Sequence, residues 1–446
     1  MYQSSVEEQE EYGRCMECRQ MNTLLCKSHL GPTILCQTCD LNLRTRKFGI
    51  CIKCKQINTG QNWCQPCNSD RFRQNFSNWA SNNDDVDKFI QNNQLSAKNK
   101  YQLLEWIPYD RFHDGVKYIT KGGFGKIYKA CWKDGYISHW NVIKHRWQRN
   151  NANKCVALKV LEKSQKLKSE FIDEITSHVK IIDRNTTNEI VRCYGISQDP
   201  STNNYVMVMK YAENGSLRSS LDRRNIKHKP NFIKLSELKK RCSKLMHIAS
   251  GIKRIHEKGL IHRDLHTGNI VCFVRGIGIT DMGLCKPVNY EELENKVYGV
   301  LPYMAPEIIG GKIYSFGIIM YEIISETPPY PNINHDEHLA IDICEGLRPN
   351  FNIKVPQLIV HLIKRCLDVN PSNRPKIEIS YNFSTTNNLP LTNKEHPGAI
   401  YTSRPFNFNN LPEPKNSDNY YENCDNISDM IYLEESSNSN NSECLE

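Results

Sequence analysis

Five polar side chains, taken in chain order, have the types and spacing to handle a charged phosphate. Lys159 lies in CVALKVL, residues 155 to 161, where β-branched content and alternation predict a strand with Ala157 and Lys159 on one face. A small floor beside an ammonium suits a phosphate, but the ammonium has to be held. The helical run EFIDEITSHVKI supplies Glu174 for that, with His178 one turn later on the same face. Further on, IHRDLHTGNIV (261 to 271) and ITDMG (279 to 283) place Asp264, Asn269 and Asp281 in short loops after apolar segments. Hard oxygen ligands of this kind suit Mg2+ bridging phosphates, with Asp264 left over to orient a hydroxyl. Any one of these aspartates alone is as readily a turn residue or a cap; their order as a set carries the chemistry.

Upstream, ITKGGFGKIYKACW from position 119 sets Gly122, Gly123 and Gly125 between two β-like runs. Such a hairpin can lie close over phosphates and offer bare backbone N–H groups. With these pieces in order, residues from about 112 to 376, about 60% of the chain, resemble a eukaryotic protein kinase catalytic domain. The HRDLHxGN form resembles the tyrosine-kinase-like group, whose members mostly modify Ser or Thr. The resemblance implies an α+β, bilobal fold, with a small β-rich lobe and a larger helical lobe holding ATP between them. It implies Lys159 on the α- and β-phosphates, Glu174 paired with it, Asp264 as catalytic base, and Asn269 and Asp281 as Mg2+ ligands. Ile119, Gly122, Gly123, Phe124 and Gly125 would cover the phosphates, and Ile127, Ala157 and Val271 would sandwich the adenine. Met209 would stand at the back of the pocket, the backbone of Lys210, Tyr211 and Ala212 would form the hinge, and Glu307 would pair with Arg374. The implied activity is transfer of the γ-phosphate of ATP to protein hydroxyls in intracellular signal transduction.

The elements that must position these residues show in the apolar periodicity. Leu245, Ile248, Ile252 and Ile255 share one helical face leading into the Asp264 loop. Phe316, Ile319, Met320, Ile323 and Ile324 share another, and Leu358, Leu362 and Cys366 line a third.

Some positions depart from the kinase pattern. Thr120 replaces the first loop glycine, and Met282 replaces the phenylalanine after the metal-binding aspartate, an apolar exchange that a packed site accepts. Val300 and His266 stand where serine/threonine kinases carry a threonine and a catalytic-loop lysine. No Ser or Thr lies between Asp281 and Glu307, so a phosphate for Arg263 must come from Tyr290, Tyr298 or Tyr303, or Glu291 serves instead. In YMAPEIIGGKIYSFG, Lys312 takes the place of an aspartate that anchors the catalytic loop, and the segment before it is about seven residues short. After Arg374, IEISYNFSTTNNLP is polar where a last helix is expected. These losses admit a second reading, a kinase-like scaffold that binds ATP without turnover.

Nine of the nineteen cysteines crowd into residues 15 to 67. CMECRQMNT at 15 and CIKCKQINT at 51 head two copies of a repeat, closed by CQTC at 36 and CQPC at 64. The second copy joins Cys51 and Cys54 to Cys64 and Cys67 across nine residues, a tetrahedral thiolate cage suited to Zn2+. The first copy joins Cys15 and Cys18 to Cys36 and Cys39 by the repeat, or to the inserted pair Cys26/His29. The zinc module is either structural or the functional end of the chain, with a docking partner of its own. Phe72, Phe76 and Trp79, set among Arg71 and Arg73, have the spacing of an amphipathic helix, or could stack on bases.

The formal charge of +9 is spread among 49 acids with no basic stripe, which does not call for a nucleic-acid partner. No run of eighteen apolar residues offers a membrane span, and the acidic start MYQSSVEEQEEYGR does not read as a secretory signal, so a cytoplasmic protein, with the nucleus also open, is expected. The expected map is a disordered start (1–14), the cysteine-rich module (15–70), a helix and linker (71–111, polar from Ser81 to Gln94), the kinase-like domain (112–380) and a disordered Asn/Ser-rich acidic tail (381–446). Within that tail, HPGAIYTSRPFNFNNLPEP is either a docking strip or plain linker.

Overall fold

The computed structural model describes residues 11–15, 17–18, 21–27, 34–122, 125–160, 169–182, 189–225, 235–287, 297–307, 313–350, 357–375, 396–406, 408, 411–417 and 420. Expectations placed on Lys312, residues 377–390, Gly123, Phe124, His29, Tyr290 and Glu291 fall outside them. Two compact units emerge, one from residues 1–116, 130–155 and 194–208, the other from 117–129, 156–193 and 209–446. A six-stranded sheet runs in the order Glu105–Trp106, Cys193–Gln198, Tyr205–Lys210, Lys154–Val160, Gly125–Trp132 and Phe112–Gly122.

In the first unit the second cysteine copy leads directly into a helix. Cys64 stands at the N-cap of Gln65–Asn75, with a proline in the first turn, where its missing N–H costs nothing. Trp63, just before it, is fully buried and donates its indole N–H to the Ala97 carbonyl at 2.8 Å. Around Trp63 gather Phe72, Leu103 and Ile137, with Trp147 stacked on Phe72 at 4.4 Å between ring centroids. Trp147 and Ile137 belong to the hairpin of strands Tyr136–Asn141 and Arg146–Asn150. Gly135 opens that hairpin at φ 66°, and a Cβ there would stand 2.1 Å from the Asn150 carbonyl oxygen, so only glycine fits. Phe72 lies on the helix and is buried, which leaves its ring no face for a base, but the helix ends at Asn75, so the expected helical stripe stops short of Phe76, in a 3-10 turn, and Trp79, in extended backbone.

Residues 81 to 94 correct the expected linker. Asp84–Ser96 is a helix capped by Asn83, whose side chain accepts from the N–H groups of Asp85 and Val86. Val86 and Ile90, four apart, are fully buried, and one turn on the buried Gln94 donates its side-chain N–H to the Leu104 carbonyl at 3.1 Å. Nor is the start wholly irregular, since Glu11–Arg14 pairs antiparallel with Met21–Lys27.

In the second unit, helix Leu235–Glu257 buries Leu245, Ile248, Ile252 and Ile255 as expected. Helix Tyr314–Ser325 is buried nearly all round, and Gly317 lets the helix Gln357–Cys366 approach so closely that a Cβ would meet that of Cys366 at 2.8 Å. On Gln357–Cys366 the buried face is Ile359, Ile363 and Cys366, with Leu358 and Leu362 only partly covered, a rotation by one residue from the expected stripe.

The tail is the larger correction. Strand Arg404–Phe406 pairs antiparallel with Val297–Gly299, with Gly299 opposite Arg404 and Val297 opposite Phe406. Phe406, Phe408 and Leu411 pack on a cluster of Leu301, Tyr330, Leu339, Ala340 and Ile343. These apolar anchors, spaced for an extended chain, overcome the polar composition that predicts disorder.

Candidate active site

The strand Lys154–Val160 and the helix Ser169–Ile181 bring Lys159 and Glu174 together, with Nζ 2.6 Å from Glu174 Oε1. The same ammonium donates to Asp281 Oδ1 at 2.9 Å. Burial alone would push the Lys159 ammonium down, but Asp281 and Glu174 outweigh it and hold it above its ordinary value. Burial likewise works against the charge of Asp281, and Lys159 keeps its carboxyl below the usual range. His178 is buried one turn after Glu174, and its Nδ1 lies 3.0 Å from the Val191 carbonyl oxygen. Burial pushes it down to about 3, so it stays neutral.

The short loop around Asp264 is tied at both ends. The backbone N–H of Asp264 donates to His262 Nδ1 at 3.3 Å, and His262 Nε2, 3.0 Å from the Thr280 carbonyl, links it to the stretch before Asp281. Asn269 Nδ2 donates to the Asp264 carbonyl at 2.9 Å and to Oδ2 at 3.0 Å. His266 Nδ1 accepts from Gly268 N–H at 3.1 Å, which puts its proton on Nε2, 3.7 Å from Asp264 Oδ2. Burial pushes the Asp264 carboxyl up, but His266 and the donated hydroxyl of Ser403 hold it below its ordinary value, as an ionised base requires. Arg263 (φ 66°) and Asp281 (φ 62°) sit in left-handed backbone, strain kept where the surrounding bonds over-determine it.

The other expected residues distribute as follows. Met209 is buried at the end of strand Tyr205–Lys210, and Lys210 N–H donates to the Arg192 carbonyl at 2.9 Å, with Tyr211 and Ala212 following, half-buried. Val271 pairs with Gly278, and Ala157, Ile127 and Val271 are each half-buried, so each keeps surface for a ligand. Gly125 is buried, whereas Gly122 and Ile119 on the strand before it are exposed. Met282 is 1% exposed within the core cluster, which bears out the apolar exchange. Glu307 and Arg374 pair in two parallel contacts, one of them Nη2 to Oε2 at 2.7 Å.

Tyr303 is removed as a phosphate acceptor. It is buried, donates to Glu322 Oε2, and accepts from Arg218 at 2.7 Å, an arrangement that spends its hydroxyl. Tyr298, 41% exposed, remains open to modification. Arg218, Glu322 and Ser403 escaped sequence reasoning; only the mixed aromatic strip around Ser403 gave any signal.

The donor sets fit the ions expected of them. In each of two clusters, Cys15/Cys18/Cys36/Cys39 and Cys51/Cys54/Cys64/Cys67, the sulfurs all lie within 4.8 Å of one another. Zn–S bonds near 2.3 Å imply tetrahedron edges of about 3.8 Å. Cys51 to Cys67 and Cys18 to Cys36 are each 3.8 Å, and Cys54 to Cys64 is 3.5 Å. The first cluster thus follows the repeat pairing. Backbone N–H groups, first that of Cys18 and then that of Cys36, pull the Cys15 thiol down to about 6, toward the thiolate a metal needs. For Mg2+, the amide nitrogen of Asn269 is spent on Asp264, which leaves its oxygen for a cation.

A lysine paired with a helix glutamate, an aspartate in left-handed backbone, and a second aspartate tied to an asparagine stand together on a fold of sheet and helices, the arrangement the kinase resemblance implies. The family model described as protein tyrosine and serine/threonine kinase matches residues 115–382, and the chain belongs to that family. Similar proteins include human mitogen-activated protein kinase kinase kinase 7, 28% identical over 64% of this chain and 43% of the relative. They also include the Zea mays protein named "Probable serine/threonine-protein kinase CCRP1", 26% identical over 72% of this chain and 49% of the relative. A third is the RGS domain-containing serine/threonine-protein kinase A of Dictyostelium discoideum, 26% identical over 68% and 28%. The chain spans half or less of the length of these curated relatives.

Proposed function

We propose that the chain is an ATP-dependent protein kinase, directed to serine or threonine, acting in cytoplasmic signal transduction. The observation that carries this is the Lys159 ammonium shared by Glu174 and Asp281, beside a loop that keeps Asp264 ionised and tied to Asn269. Lys159 would orient the α- and β-phosphates, and Asp264 would take the proton of a protein hydroxyl as it attacks the γ-phosphorus in line. His266, where the family has a lysine, would face the base with Nε2 3.7 Å from Asp264 Oδ2. Asn269 and Asp281 would hold Mg2+, which when bound offsets charge on the transferring phosphoryl group. The Ser/Thr direction is supported by the names of the relatives.

In this reading the partners are protein substrates, and the head is a zinc-stiffened structural module that a docking partner would use. Its Trp63 core favours the structural role. The test is phosphate transfer from Mg-ATP to a general protein substrate, run beside Asp264→Asn with phospho-residues mapped by mass spectrometry. Transfer to Ser or Thr that falls about a thousandfold in the variant is expected. Equal transfer by both proteins would place the activity in a contaminant, and no transfer by either would return the chain to the scaffold reading.

A further inference from the structure

The kinase reading leaves one contact at the base unused. Ser403 donates its hydroxyl to Asp264 Oδ2, the oxygen that also accepts from Asn269, across 139 residues of sequence. Its backbone is held on both sides. After it, Arg404 pairs with Gly299 and Phe406 with Val297, in the segment that separates Asp281 from Glu307. Before it, the Tyr401 hydroxyl donates to the Pro329 carbonyl at 3.0 Å under the Arg218 guanidinium, 4.2 Å from the ring centroid, and Gly398 accepts from His335 N–H at 3.0 Å. Gly299, opposite Arg404 at the crossing, lies close to the base: a Cβ there would touch the Met304 side chain at 3.4 Å and stand 3.9 Å from Asp264 Oδ1.

An extended strand that pairs with the segment between Asp281 and Glu307 and sets a hydroxyl against the Asp264 carboxylate has the geometry of a protein substrate ready for transfer. We propose that Ser403 is a phosphorylation site that the chain modifies in itself, and that residues 396–406 are a built-in occupant of the substrate groove, released once modified. The proposal rests on the kinase reading and adds to it a site, a direction and a consequence. Ser403 Oγ gives its proton to Asp264 and its electron pair to the γ-phosphorus of ATP. The bond from that phosphorus to the β–γ bridging oxygen breaks, ADP leaves with that electron pair, and Asp264 returns the proton to solvent.

Two features sharpen the assignment. The segment from Asp281 to Glu307 has no Ser or Thr, so it offers no such acceptor of its own. Thr402, next to Ser403, is exposed and makes an internal control for position. The register also selects depth: with the strand paired as it is, a hydroxyl one carbon from the backbone meets Asp264, and a tyrosine hydroxyl would overshoot. After transfer, a phosphate carrying close to two negative charges stands against the Asp264 carboxylate, and the repulsion opens the pairing and clears the groove.

The experiment uses the full chain with Mg-ATP and an added basic protein substrate, with phosphosites mapped over a range of enzyme concentrations. Phosphate is expected on Ser403 and not Thr402, at a rate per molecule independent of concentration. In a mixture with a mass-labelled Asp264→Asn chain, the labelled Ser403 should stay unmodified. Phe406→Asp, which undocks the strip without touching the catalytic residues, should abolish Ser403 phosphorylation yet raise kcat/KM for the added protein about tenfold by freeing the groove. Ser403→Glu should raise it in the same direction, and no variant that merely misfolds can do so. Phosphate on the added protein but none on Ser403 overturns the inference and leaves the kinase reading standing. So does modification of the labelled chain, or unchanged kcat/KM in both variants. No phosphate on either acceptor overturns the kinase reading and takes the inference with it.

Discussion

The second cysteine cluster and the Asp264 loop are both dense knots of polar ligands, yet they are supported in opposite ways. Four thiols converge in the head with sulfur separations of 3.5 and 3.8 Å, and the helix that follows Cys64 is held by an apolar cluster of Trp63, Phe72 and Trp147. In the catalytic loop the supports are themselves charged or polar: Lys159 to Glu174 and Asp281, Asn269 and Ser403 to Asp264. Asp264 Oδ1 is buried there with no hydrogen bond among the described residues. A site that only has to hold an ion can close on itself. One that has to pass a proton keeps an atom in reserve and uses replaceable partners. Damage to support in the head should therefore appear as lost stability, and in the loop as lost rate.

The largest effect expected is metal removal. The full chain should carry two Zn2+, one per cluster, and a chelator at neutral pH should unfold the cysteine-rich region, since structural zinc contributes on the order of 10 kcal/mol to folding. Metal analysis and tryptophan fluorescence during chelation check this. A single zinc per chain would show that the two copies differ in more than spacing.

Next comes Trp63→Ala, which removes a fully buried ring and the hydrogen bond to Ala97. Denaturant unfolding of the head should show a loss of about 4 kcal/mol with zinc content and phosphate transfer unchanged. A drop in transfer with stability intact would break the comparison, because it would make the head part of the catalytic apparatus.

What was legible in the sequence follows the same division. Lys159, Glu174, Asp264, Asn269 and Asp281 announce themselves because they fall in four short segments, Asp264 and Asn269 sharing one, where local pattern and role coincide. The face of Leu235–Glu257 was legible for the same reason, as its apolar stripe holds its period for three turns. Helix Asp84–Ser96 was hidden because only Val86 and Ile90 are apolar on its buried face and the rest of its fit is polar, Gln94 to the Leu104 carbonyl and the Leu104 N–H to Asn93. The stripe on Gln357–Cys366 was misplaced by one residue because LIVHLI offers apolar residues on either choice of face. The tail was hidden more completely. Ser403 means nothing until Arg404–Phe406 finds Val297–Gly299, a pairing that no local pattern encodes.

On the helix that faces Lys159, Glu174→Gln leaves the ammonium its contact with Asp281 but removes one of the two carboxylates that oppose a buried charge. Transfer should fall about a hundredfold, with a higher KM for ATP and a small change in unfolding free energy. A large loss of stability with little loss of rate would mean that this pair serves packing, as the head's aromatic wall does, and the contrast would fail.

The smallest effect tests how far stability in this region is bound to protons. His178 is buried four residues from Glu174, with Nε2 4.0 Å from Glu174 Oε1 and without a hydrogen bond among the described residues. Burial, helped by Lys159, pushes it from its ordinary value near 6.5 down to about 3. In the unfolded chain the ring takes a proton as pH falls through 6.5, while in the folded chain it stays neutral to about 3, so the unfolded state binds more protons in between. The neutral ring's contribution is intact above pH 6.5 and is lost progressively as pH falls, amounting to about 2 kcal/mol at pH 5. His262, lowered in the same direction by burial, adds to the wild-type slope and remains in the variant. Unfolding of His178→Gln by denaturant at pH 7 and pH 5 should therefore show a drop smaller than that of the wild type by about 2 kcal/mol. Equal drops would show that protons reach His178 in the folded state, and the interior beside Lys159 would then be wetter than a site that must keep Asp264 as its base.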